Sequence, residues 1–391
     1  MEQNEDNFKN VYMMGFISFF TDVSSEMVFS ILPVYILGLP GGSPAMLGLI
    51  EGIAESMSYI LRAVSGVISD KMKRRKLFIL IGYGLSNIAK PFFSLTSTVI
   101  QVLTIRVLDR VGKGIRTAPR DALISDSVPT WRQGEAFGLH RTLDQTGAII
   151  GPLLATGVMM FLGWTVQGVF ILSFLPGLAA LFIILFGVKE IIASRDSEYK
   201  FLEGLGDVLR GRFLWLLLVV TVFSLGAFNY SFILLNAKDM GVGDALIPVV
   251  YAVVNVSHTI IAIPAGRLAD SIGKEKVLTG GYAIFLVTSV LLYFVPSSIS
   301  AAYLIALIYG VYVGVVETVQ RALIPGYVEA SLKGTAYGVY YLVVGVALFI
   351  ANTVVGFLWS SYGLWASSLY SGGISLLALI GAIIFINKVK P

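Results

Sequence analysis

"GVISDKMKRRK", residues 66–76, interrupts a very apolar chain with five basic residues among the six from Lys71 to Lys76. Two hundred residues further on, "GRLADSIGKEK" at 266–276 places Gly266 and Asp270 where the first stretch has Gly66 and Asp70. The same offset pairs Ala122, Leu123 and Ile124 with Ala322, Leu323 and Ile324, and Gly134, Gly138 and Gly163 with Gly334, Gly338 and Gly363. A constant offset across several segments indicates duplication of one structural unit.

The rest of the composition says what that unit is. Of the 391 residues 56% are hydrophobic and 13% charged, with mean hydropathy +0.82, half the charge of an ordinary soluble domain. Crossing about 30 Å of hydrocarbon takes roughly 20 apolar residues. Runs of that kind lie near 11–37, 44–70, 77–95, 98–117, 134–160, 165–187, 213–236, 246–270, 277–296, 301–321, 334–360 and 363–387. The fold expected is therefore an all-α integral membrane protein of twelve transmembrane helices in two six-helix bundles. Residues 1–187 form the first, 188–212 a cytoplasmic linker with a short interfacial helix, and 213–391 the second. Six is even, so both bundles have the same orientation, as parallel repeats do.

Basic residues gather in alternate loops, with Lys238 alone in the others, and this asymmetry places both termini in the cytoplasm. The basic run is thus a topological anchor, and the formal charge of +4 follows the membrane and does not mark a nucleic-acid partner. The acidic start, MEQNEDNFKN, lacks the basic opening of a secretory signal, so the first apolar run is expected to stay as an uncleaved span. With no cysteine, disulfides and thiol catalysis are excluded. No phosphate-binding G-x4-G-K-[ST] loop, nucleophile elbow or His-rich metal constellation occurs, which argues against an enzyme. A membrane enzyme or a non-transporting sensor remains only as a remote alternative.

The loop stretches resemble the signature of the major facilitator superfamily, G-x-x-x-D-[RK]-x-G-[RK]-[RK]-[RK]. It falls here on Gly66, Asp70, Lys71, Arg74, Arg75 and Lys76, with Lys73 where glycine is usual, and a second copy keeps Gly266, Asp270 and Gly273. The resemblance covers nearly the whole chain and implies that Asp70 latches two halves that alternate in access. A second motif, Gly138, Gly147, Gly151 and Pro152, is similar to that of the family's drug/proton antiporters, although Ala155 and Thr156 replace its closing glycines. The resemblance also implies that Arg106 is the buried arginine linked to proton transfer.

The residues carry a reading of their own. Arg106, Asp109, Arg110 and Lys113 occupy one helical face, and ionisable groups at mid-membrane must pair or line water. Acids are at hand: Asp22 and Glu26 one turn apart, Glu51 and Glu55 on the face of Arg62, and Asp144, with Lys90 before Pro91. The proton-coupling candidates are therefore Asp22, Glu26, Glu51, Glu55, Arg106, Asp109, Arg110 and Asp144, with Arg106 or Arg110 competing for the carboxylate of Asp22. Lys113 and Arg116 read as snorkelling anchors, and His140 as interfacial. The second half offers Asn229, Asn255, His258, Tyr309, Tyr312, Tyr340, Tyr341 and Glu317, which together with Arg62 and Lys90 are the substrate-cavity candidates. The function expected is proton-coupled efflux of a small organic or amphipathic compound by a monomer in the cell membrane, with a proton gradient in place of any cofactor or metal. The alternative is transport of an organic anion or metal chelate by the basic residues.

Overall fold

The computed structural model describes residues 8–191, 205–329 and 332–389, which are helical almost throughout and contain no strand. In order, the helices are α1 (Phe8–Phe29), α2 (Leu32–Gly38), α3 (Pro44–Met72), α4 (Arg75–Ala89), α5 (Val99–Asp126), α6 (Gln133–Phe161), α7 (Val166–Leu172) and α8 (Phe174–Gly187). There follow α9 (Leu205–Val208), α10 (Gly211–Gly226), α11 (Tyr230–Asp239), α12 (Ile247–Ile272), α13 (Lys274–Phe294), α14 (Ile299–Leu323), α15 (Lys333–Tyr362) and α16 (Leu364–Val389). α9 lies in the expected linker, most of which is outside the described residues.

Nine helical segments among the described residues are long and apolar enough to cross a membrane. α3, α5 and α6 have the length, at 29, 28 and 29 residues, and their polar and ionisable side chains keep them out of that set. The fold is that of an all-helical integral membrane protein. Several expected single spans are broken: 11–37 divides into α1 and α2 around Ser30 and Ile31, 165–187 into α7 and α8 at Ser173, and 213–236 into α10 and α11 at Ala227–Asn229. The last break is held by side chains, since Asn229 Oδ1 accepts from Ser231 N at 2.9 Å and Asn352 Oδ1 accepts from Asn229 N at 2.8 Å. Hydrogen-bond acceptors of this kind satisfy backbone donors that hydrocarbon cannot.

The helices cluster into two compact units, one of Met1–Pro40 with Met57–Glu198 and the other of Gly41–Ser56 with Tyr199–Pro391. The 200-residue repeat reappears in their packing. A Cβ on Gly114 would meet Leu61 Cβ at 2.6 Å and Ser58 O at 3.0 Å, and one on Gly314 would meet Ile261 Cγ2 at 2.3 Å and His258 O at 2.6 Å. The helix pairs α3/α5 and α12/α14 are therefore equivalent crossings, each closed on a glycine that lets two backbones approach. The loops repeat as well: Gly273 ends α12 at φ +104, while Lys73, after α3, is held at φ +53. A side chain in the left-handed region costs roughly 1 kcal/mol. Lys73→Gly is therefore expected to raise stability by up to about 1 kcal/mol, read as a higher melting temperature of the purified protein; a lower one would show that the lysine side chain matters more than its backbone.

Candidate functional site

Four helices of the first unit bring a polar stripe to a common interior. On α1 the stripe is Ser18, Asp22, Ser25 and Glu26, spaced at i, i+4, i+7 and i+8; on α4 it is Tyr83, Ser86 and Asn87, continued by Lys90 just past the helix end. On α5 it is Arg106, Asp109, Arg110, Lys113 and Arg116, and on α6 His140 and Asp144. What pins α6 against α1 is glycine: a Cβ on Gly147 would strike Phe19 O at 2.4 Å, and one on Gly151 would strike Val23 O at 2.7 Å. Gly138, the first glycine of the antiporter-like motif, has nothing within 4 Å and makes no such approach. Pro152 lies buried inside α6 beside Gly151.

Two centres emerge. The first surrounds Asp109, which is 2% exposed. Its carboxylate lies 3.6 Å from Arg106 Nη1 and 3.8 Å from Arg110 Nε, and it accepts a hydrogen bond from Ser86 Oγ. Both guanidinium groups lie over the Phe29 ring, at 3.8 and 5.1 Å from its centroid, so the aromatic face takes part of the positive charge. The second centre joins Asp22 to Asp144 by a side-chain hydrogen bond, with Glu26 and Lys113 within electrostatic reach of Asp22. Arg141 Nη1 stands 3.1 Å from Asp144 Oδ2. Lys113, Arg141 and Arg120 are among the cations within electrostatic reach of the acid pair, and Arg106 and Arg110 lie beside Asp109.

Lys90 lies between the centres, fully buried. Its Nζ donates to Asn87 Oδ1 at 2.7 Å, to Ser25 Oγ at 2.8 Å and to Thr21 O at 3.5 Å, all neutral acceptors. Arg116 is 5% exposed and stacks 4.1 Å above Tyr83, so it does not snorkel to an interface. His140, read from sequence as interfacial, is 4% exposed and its Nε2 lies 2.8 Å from Ser18 Oγ. In each case a partner on a neighbouring helix replaces water.

The remaining candidates are dispersed. Glu51 is buried in the part of α3 that clusters with the second unit, where a Cβ on Gly48 would meet Asn352 O at 2.2 Å. Glu55, half-buried, is within electrostatic reach of Tyr309. Arg62 stacks on Tyr59 at 5.3 Å. In the second unit, Tyr309 donates to Phe228 O at 2.8 Å and packs with Tyr312, Phe285 and Phe223 in a buried aromatic cluster. Tyr340 and Tyr341 lie edge to face at 5.3 Å. Asn255 is buried, and His258 Nε2 lies 3.9 Å from Glu317 Oε2, which lies 3.9 Å from Arg321.

At the end of the basic run, Arg75 pairs with Asp126 at the end of α5, and Lys76 Nζ donates to Val188 O at 2.7 Å and Leu185 O at 3.0 Å at the C-terminus of α8. Cation and helix C-terminus attract one another there. Lys71 and Arg74 are exposed. Gly66 approaches Ala118 Cβ at 3.2 Å, and its counterpart Gly266 approaches Thr318 Cγ2 at 3.7 Å. The side chain of Asp70 lies outside the described residues; Asp270 ends one turn before Gly273.

The sequence family described as the Major Facilitator Superfamily matches residues 14–351 and 214–391. An uncharacterized MFS-type transporter of Methanocaldococcus jannaschii is 34% identical over 364 residues, 92% of this chain and 90% of that protein. The multidrug resistance protein MdtG of Proteus mirabilis is 25% identical over 292 residues, 71% of this chain and 72% of its own. A solved mutant of the nucleoside transporter NupG aligns with a TM-score of 0.78 at 12% identity, over 97% of this chain and 100% of that one, a likeness of fold alone.

Proposed function

Because the chain belongs to the major facilitator superfamily, whose members carry small molecules across membranes, we propose that it is a proton-coupled exporter of a small organic or amphipathic compound. The observation that carries this reading is the hydrogen bond between Asp22 and Asp144. Two carboxylates have no hydrogen to share, so the pair holds a proton when that bond is made. Lys113 and Arg141 stand beside the pair. A conformational change that moves either cation relative to the pair therefore changes proton affinity, and that is what coupling requires. The likeness to multidrug resistance protein MdtG supports export in preference to uptake. In this reading the chain works as a monomer in the cell membrane with both termini cytoplasmic, by alternating access of two six-helix halves, and Asp70 takes part in the latch.

A second reading is favoured by Lys90, a fully buried amine hydrogen-bonded only to neutral acceptors: the substrate is an organic anion or metal chelate whose charge Lys90 meets. Efflux of lipophilic cationic dyes from energised vesicles, measured before and after the pH gradient is collapsed, separates the two. Efflux that stops with the gradient supports proton-coupled export; vesicles that move organic anions and no dye favour the second reading.

A further inference from the structure

We infer that the groove between α10 and α16 binds an anionic phospholipid of the bilayer, with one acyl chain lying along the groove and the phosphate at Arg212. The site lies within the second unit and does not depend on what the protein carries. The groove encloses about 580 Å³. Its floor is Val219 on α10 with Ala378, Gly381 and Phe385 on α16, and the small residues at 378 and 381 keep it open. A Cβ on Gly381 would meet Val219 Cγ2 at 3.7 Å, an ordinary contact, so this glycine is not required for close approach of the two helices. A larger side chain there would fill the groove instead. The rims are Trp215 and Leu218 on one side and Leu377 and Ile384 on the other, each 47–58% exposed. Exposed apolar side chains on membrane-spanning segments meet hydrocarbon, so the groove opens to lipid.

Length and charge select the occupant. From Gly211 to Val222 the α10 side of the groove rises about 17 Å, close to the roughly 15 Å of hydrocarbon in one leaflet, which is the reach of one acyl chain. The single charged side chain lining the groove is Arg212, at the end where α10 begins. It is exposed, and no described carboxylate lies within about 4 Å of it, whereas Arg210 pairs with Asp207 at 3.7 Å. Arg212 is within electrostatic reach of Tyr327, whose hydroxyl donates to Glu275 and whose ring lies 5.7 Å from that of Phe385. The nearby acid is thus engaged by the tyrosine. A guanidinium holds a phosphate by paired N–H bonds. Trp215, three residues along the same face, sets its indole at headgroup depth, where tryptophan gathers. A soluble phosphate has no use for the groove, and an apolar chain none for Arg212; a phospholipid uses both. Phosphatidylglycerol keeps the net negative charge that the choline of phosphatidylcholine cancels, so charge complementarity favours the anionic lipid.

The test is native mass spectrometry of the full chain, stripped of lipid in detergent and titrated with phosphatidylglycerol or with phosphatidylcholine of the same acyl chains. The wild-type chain is expected to bind its first phosphatidylglycerol at least about fivefold more tightly, the usual effect of one basic residue on an anionic lipid. Arg212→Gln is expected to bring that ratio within about twofold, while Arg210→Gln, which removes an exposed arginine already paired with Asp207, leaves it unchanged. Gly381→Leu, which fills the groove, is expected to weaken both lipids at least about fivefold. Gly381→Ala fits without a clash and verifies that the position accepts a side chain; if the leucine variant does not fold, the two arginine variants decide the matter. An equal loss of preference in Arg210→Gln would reduce the effect to diffuse surface charge and overturn the site. Lipid binding left intact by a folded Gly381→Leu would overturn it too. Displacement of the lipid by free glycerol phosphate would assign a soluble anion in its place, and a two-chain mass that Gly381→Leu abolishes would assign the groove to a second copy; either result removes the phospholipid.

Discussion

Asp109→Asn is expected to destabilise the protein by about 3–5 kcal/mol, the usual cost of removing one partner from a buried ionic cluster. Asparagine keeps the shape of aspartate, so no cavity confounds the result; what is lost is the negative charge that faces Arg106 and Arg110 at 3.6 and 3.8 Å. With the carboxylate 2% exposed, solvent does not screen the change. The Phe29 ring offsets part of the uncompensated charge but carries none of its own. The expected observation is a sharply lower melting temperature, or loss of monodisperse protein, and partial recovery when Arg110→Gln is added, since one cation then disappears together with its counterion. An unchanged melting temperature would mean that water already reaches the cluster.

Asp22→Asn is expected to abolish pH-driven efflux, to the level of empty vesicles, while the purified protein still binds the transported dye. The amide still donates a hydrogen bond to Asp144, so packing between α1 and α6 survives, closed as it is on Gly147 and Gly151. It neither gains nor loses a proton in the working range, so the gradient has nothing to act on. Full efflux with an intact dependence on the gradient would remove Asp22 from the mechanism.

The architecture was legible because hydrocarbon imposes a coarse rule. Run lengths, the asymmetry of Lys and Arg, and the 200-residue offset together located the helices and the repeat, and even the offset between Lys73 and Gly273 reappears as a shared positive φ. Within a helix, spacing was also informative: the faces of Asp22 with Glu26, and of Arg106 with Asp109 and Arg110, are those that turn inward. Pairing across helices was not legible. Nothing along the chain says that His140 reaches Ser18 or that Arg116 covers Tyr83. The neutral members were missed for a different reason. Ser18 and Ser25 fall on the Asp22 stripe of α1, and Tyr83, Ser86 and Asn87 on the stripe of α4 that leads to Lys90. A search for any polar side chain at i, i+3, i+4 and i+7, not only for charged ones, would have found both stripes. In the second unit, where aromatic and amide side chains suggested a substrate cavity, Tyr309 and Tyr312 make ring contacts with Phe223, Phe228 and Phe285, a grouping that the sequence does not show.

The central claim is that the Asp22–Asp144 pair exchanges its proton for substrate. Its most direct test counts the protons released into weakly buffered solution as a transported dye is titrated into the purified protein. The account predicts release on binding that vanishes in Asp22→Asn, whereas dye binding with no proton released by the wild-type chain at any pH would contradict it.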